Sequence, residues 1–88
     1  MNKIRRKELA RIVANLETLE SLRLEIKEQL ESVMDEEQEA LDNLPESLQD
    51  GEKGQQMQEY IDSMTDVLDE LENLDVESFM DQLQEIIG

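Results

Sequence analysis

Carboxylates are the one reactive group this sequence carries in quantity: 24 Asp and Glu stand against 8 Lys and Arg, with no histidine and no cysteine. Without histidine the usual general base, the usual zinc ligand and the usual switch near neutral pH are missing. Without cysteine there are no disulfides, thiolate metal sites or thiol nucleophiles. Paired carboxylates can do acid/base work, as in glycoside hydrolysis, but such a site needs a walled pocket. The two aromatic residues, Tyr60 and Phe79, cannot line much of one. Neither an enzyme nor a cofactor is expected, and the chemistry left to this chain is binding through charge and apolar contact.

Three kinds of chemistry are open to the acids. On the outward positions of a predicted second helix lie Glu59, Asp62, Asp66, Asp69 and Glu70, and on those of the first Glu28, Glu31, Asp35, Glu39 and Asp42. The plainest reading is a solvated face that keeps a small bundle apart from its neighbours. Against it, almost no Lys or Arg sits one turn away, and like charges at i, i+4 cost about 0.2–0.5 kcal/mol per pair. Asp35 with Glu39, Asp62 with Asp66, and Asp66 with Glu70 all incur that cost. The sharper reading is imitation of nucleic-acid phosphates, since acids one turn apart recur every 5–6 Å or so. Asp35, Glu39, Asp42, Glu59, Asp62, Asp66, Asp69 and Glu70 would then meet the groove of a basic, nucleic-acid-binding protein, while nucleic acid itself is repelled. Calcium is the third possibility, but Asp50, Gly51, Glu52, Lys53, Gly54 lacks the ligand spacing of an EF-hand loop, so no metal site is expected.

Charge is unevenly spread. Residues 1–27 hold 7 basic and 4 acidic side chains, net +3, and residues 28–88 hold 1 basic and 20 acidic, net −19, which together make the formal −16. The basic tip of Lys3, Arg5, Arg6, Lys7 and Arg11 reads as a frayed terminus or a contact with a neighbour's acids. It leads into an amphipathic stretch, not a signal-peptide core, and no apolar run has the length of a membrane span, so the expectation is a cytoplasmic protein with no membrane contact.

The elements that must position these groups follow from periodicity. With a at Leu9, Leu16, Arg23, Leu30, Glu37 and Leu44, and d at Ile12, Leu19, Ile26, Val33 and Ala40, nine of eleven positions are apolar, which predicts one long helix over about 4–42. Pro45 ends it by disfavouring the α conformation of Leu44, and can itself open one helical turn through Gln49. Turn-forming residues Asp50 to Gly54 complete a loop over 43–54. A second helix over about 55–73 carries Met57, Ile61, Met64, Leu68 and Leu71 at 4, 3 spacing. The phase is then lost. Asp75 offers an N-cap, flanked by Leu74 and Phe79 as a hydrophobic staple, so a break and a last helix over about 76–87 are expected.

Folding the chain back so that facing positions sum to about 98 sets Leu41 on Met57, Leu30 on Leu68, Leu19 on Phe79, Leu16 on Leu83 and Ile12 on Ile86. The fold class is thus all-α: an antiparallel helical hairpin with a long first helix and a bent or broken second arm, in a single domain. Its apolar stripe, widened by Val13, Leu22, Leu24, Met34, Leu41 and Val67, is broader than two helices cover. Either the C-terminal segment folds back as a third helix, or two hairpins pair into a dimeric four-helix bundle; the short last helix and the slight phase break favour the dimer, with Leu16, Leu19, Leu22, Leu24, Phe79 and Leu83 as the self-association residues. Met34, Met57, Met64 and Met80 read as core filler.

The stretch DEEQEALDNLPESLQ at 35–49 resembles a group of short acidic helical proteins of bacteriophages, prophages and bacteria, in which a long helix ends in a similar turn before a second acidic helix. The likeness covers about 28–71. It implies no site residues, but points toward a phage-borne accessory protein, a class that includes many inhibitors of host enzymes and defence systems. The leading expectation is an acidic inhibitor covering a basic surface. The alternative is a dimeric coiled-coil adaptor or assembly protein whose acids serve solubility.

Overall fold

The computed structural model describes all residues, Met1–Gly88, and is helical almost throughout: α1 Lys3–Asp42, α2 Glu46–Gln49, α3 Glu52–Asn73 and α4 Val76–Ile87, with no strand. Two compact units divide the chain. Unit 1 is Met1–Glu25 with Leu74–Gly88, and unit 2 is Ile26–Asn73.

The start of α1 is capped. Asn2 accepts from the Arg5 backbone N–H through its side chain at 2.9 Å and from the Arg6 N–H through its carbonyl at 3.1 Å. Asn at this position satisfies donors the first turn leaves open.

In unit 2, α1 ends as the proline predicts. Pro45 opens the single turn of α2, with Leu48 and Gln49 donating to its carbonyl at 2.8 and 3.0 Å. Gln49 then reaches back, and its amide donates to the carbonyls of Leu44 (2.8 Å) and Asp42 (3.2 Å), closing the end of α1. The expected loop is shorter than 43–54, because α3 begins at Glu52 and takes in Lys53 and Gly54. Gly54 is buried, and a Cβ there would run into the Gln49 carbonyl group. The glycine is therefore a packing requirement inside a helix, where sequence reasoning takes it for a turn residue.

Each unit pairs part of α1 with an antiparallel partner. In unit 2, Lys27 on α1 donates to Glu72 on α3 at 2.9 Å, and Leu41 lines one groove with Gly54 and Gln58. In unit 1, Val13 shares a groove with Gln84 and Ile87 of α4. The predicted α3 seam is the observed one: Ile61 is buried and Met57, Met64, Leu68 and Leu71 are half-buried.

The seam on α1 is not the expected one. Its buried or half-buried residues are Leu9, Val13, Leu16, Glu20 and Arg23 in unit 1, and Lys27, Leu30, Met34, Glu37, Leu41 and Leu44 in unit 2. These are the a positions with e. The d residues Ile12, Leu19, Ile26 and Val33 remain 42–51% exposed. Rows a–d and a–e both run at 3, 4 spacing, so periodicity cannot choose between them, and one opposing arm covers only one flank. Of the polar members of the chosen row, Arg23 pairs with Glu20 on its own helix and Lys27 with Glu72, while Glu37 is in neither pair.

The same correction applies to α4. Asp75 caps it, accepting from the Ser78 N–H at 3.1 Å, but the inward row is Val76, Met80, Leu83 and Ile87. Phe79 and Ile86, expected to face Leu19 and Ile12, are 45% and 49% exposed. The core is accordingly small, with only Val13, Leu41, Ile61 and Val76 among the buried apolar side chains.

Candidate functional site

Helix geometry gives each unit two different sides. In unit 2, Ile26 and Val33 lie about 70° around α1 from its seam, and Tyr60 and Val67 about 70° around α3 from its own. Because the helices are antiparallel, both offsets turn toward the same side, which carries four apolar residues 46–51% exposed. The opposite side is polar: Gln38 of α1 and Gln58 of α3 line one groove there, together with Asp42 and Asp50.

The candidate acids sort by this rule. Asp35 and Asp42, one heptad apart on α1, and Asp62 and Asp69, seven apart on α3, lean toward the polar side. Asp42 accepts from the Gln38 amide at 3.0 Å, and Asp62 from the Gln58 amide at 3.0 Å. Asp42 thus lines one groove with Gln38 and Gln58, and Asp62 lies one turn beyond Gln58 on α3. Sequence reasoning missed these glutamines, although each stands four residues before its acid. Glu39 on α1, and Glu59, Asp66 and Glu70 on α3, point to the back of their helices, away from the seam, so the eight acids form an edge and two backs, not one plane. All eight are exposed.

None of them is neutralised. Arg23 pairs with Glu20 and Lys27 with Glu72, and neither pair involves a candidate acid. Unit 2 holds 16 acidic and 2 basic residues, net −14, and unit 1 holds 8 acidic and 6 basic, net −2. No set of three acids converges closely enough to hold a metal ion.

In unit 1 the self-association candidates also divide. Leu16 and Leu83 are half-buried between α1 and α4. Leu19 and Phe79 are 42% and 45% exposed on one side of the pair, joined there by Ile12 and Ile86. Leu22 flanks that side, whereas Leu24, two residues on, lies about 160° around the helix and cannot share it. The four methionines are half-buried in the seams, as core filler would be.

No helix is long and apolar enough to cross a membrane. No protein-family model, curated protein or solved structure matches the chain.

Proposed function

We propose that this protein is an acidic protein-binding module of the phage-accessory type, which covers a basic, nucleic-acid-engaging surface of a host or defence protein in the cytoplasm. The observation that carries this reading is the net −14 of unit 2, whose candidate acids are exposed and without a cationic partner. Carboxylates at one-turn intervals along α3 offer a row of negative charge of the same order of spacing as a phosphate backbone. The glutamines beside Asp42 and Asp62 can accept from or donate to a partner's side chains without changing that charge. The likeness of residues 35–49 to acidic phage and prophage proteins supports the same class. Nucleic acid and membranes are not partners on this reading, and no reaction is catalysed.

The test is capture of bacterial lysate proteins on the immobilised full-length chain, with duplex DNA as competitor. A basic nucleic-acid-binding protein should be retained, released by DNA and by added salt. It should also be lost when Asp62, Asp66 and Asp69 are all replaced by Lys, a change of six charge units that leaves the seam intact. Capture indifferent to DNA, salt and the triple replacement would overturn the reading.

A second reading has its own support in the half-exposed apolar rows of α1, α3 and α4. Here two copies pair into a four-helix bundle that serves as a coiled-coil adaptor, and the acids only keep the assembly apart from others. The triple lysine replacement would then leave its binding unchanged.

A further inference from the structure

We infer that a second copy of this chain docks on the apolar side of unit 1, on the face formed by Ile12, Leu16 and Leu19 of α1 with Phe79, Leu83 and Ile86 of α4. This assigns the contact to one face of one unit and does not depend on what the acidic surface binds.

Apolar exposure supports it first. Four side chains of the face, Ile12, Leu19, Phe79 and Ile86, remain 42–49% exposed although they flank the buried Val13 and Val76.

Charge then chooses the unit and the occupant. Unit 2 has an apolar side of similar exposure, but its net −14 would meet the −14 of another copy. Unit 1 is nearly balanced at −2. Its charges are of both signs, with Lys3, Arg5, Arg6, Lys7 and Arg11 near one end of the sequence and Asp75, Glu77, Asp81 and Glu85 on the other arm. Two unit 1 faces can approach without net repulsion and with opposite charges available at the rim. A basic partner, by contrast, gains nothing from unit 1 that unit 2 does not offer in greater measure. The resulting dimer carries two acidic units, which would make binding of a repeated basic surface bivalent.

Sedimentation equilibrium on the full chain tests this. The wild type should have twice the 10.3 kDa chain mass at micromolar concentration. Replacing Leu19 and Phe79 by Gln together should weaken the dimer roughly tenfold or more, whereas Val33→Gln with Val67→Gln in unit 2 should not. A monomer at hundreds of micromolar, or loss of the dimer in the unit 2 variant alone, would overturn it. Because the chain has no cysteine, a second readout that leaves every residue of the face in place is at hand. Maleimide labelling of a Leu22→Cys variant, whose site flanks the face and is exposed, should slow as protein concentration rises, while that of Tyr60→Cys should not. A Leu22→Cys rate independent of concentration would overturn the assignment even if the Gln variants fail to fold.

Discussion

The two units are made the same way and charged differently. Each packs part of α1 against an antiparallel partner through a single narrow seam, and each leaves an apolar row half-exposed on one side. Yet unit 1 balances 8 acids with 6 bases, while unit 2 sets 16 acids against 2 bases. A seam of this kind needs only apolar residues at 3, 4 spacing, so the outward positions are free to carry any charge. The excess on unit 2 costs stability through like-charge neighbours, which is why we place partner binding there and self-association on unit 1.

The largest expected effect concerns the core of unit 2. Ile61 is 7% exposed, and Ile61→Ala should cost about 2–5 kcal/mol, a large share of the 5–15 kcal/mol typical of a whole domain. Hydrogen exchange should show the loss in the amides of α3 and of the second half of α1. Leu24→Ala, at 49% exposure, should change stability by less than about 0.5 kcal/mol. Equal loss of protection in unit 1 on mutating Ile61 would mean that the division into two units has no energetic counterpart.

Much of this was legible in the residues, and the failures have one cause. Pro45, Asp75 and the Met57–Leu71 spacing located the end of α1, the cap of α4 and the seam of α3. Spacing could not separate the a–d and a–e rows of α1: Ile12 and Val13, Val33 and Met34, and Ala40 and Leu41 are apolar pairs of adjacent residues, and at Leu19 with Glu20 and Ile26 with Lys27 composition favoured the d residue that the structure leaves exposed. Which member turns inward is settled by the opposing arm, a non-local fact. The same ambiguity exchanged Phe79 and Ile86 for Met80 and Ile87 on α4. Gly54 reads as a turn residue until the close approach of Gln49 is seen. The exposure of the acids was legible from helix position, but their division between an edge and two backs required the seam to be known.

A moderate effect should separate the units from the other direction. Asp75→Ala removes the acceptor for the Ser78 N–H and should cost about 1 kcal/mol, the usual worth of an N-cap. Measured by hydrogen exchange, the loss should fall on α4 and its partner segment of α1, with Asp75→Asn nearly silent because Asn caps as well. If Asp75→Ala also weakens the dimer in sedimentation, the cap and the docking face are coupled through the orientation of α4, as a face containing Phe79 and Ile86 requires.

The smallest effect bears most directly on the charge contrast. Added salt screens exposed like charges within a Debye length of about 10 Å at 0.1 M. In unit 2 it should relieve part of the repulsion of Asp35 with Glu39, Asp62 with Asp66 and Asp66 with Glu70, three pairs together worth about 0.6–1.5 kcal/mol before screening. The sign is a gain of stability with salt, opposed only by weakening of the Lys27–Glu72 pair, whose partly exposed geometry makes it worth less than about 1 kcal/mol. In unit 1 attractive and repulsive terms are both screened, and little net change is expected. Amide protection in α3 should therefore rise with sodium chloride while that in α4 stays level. If α4 responds as strongly as α3, the charge partition has no energetic consequence for the fold, and the case for a strained, partner-ready acidic surface loses its thermodynamic footing.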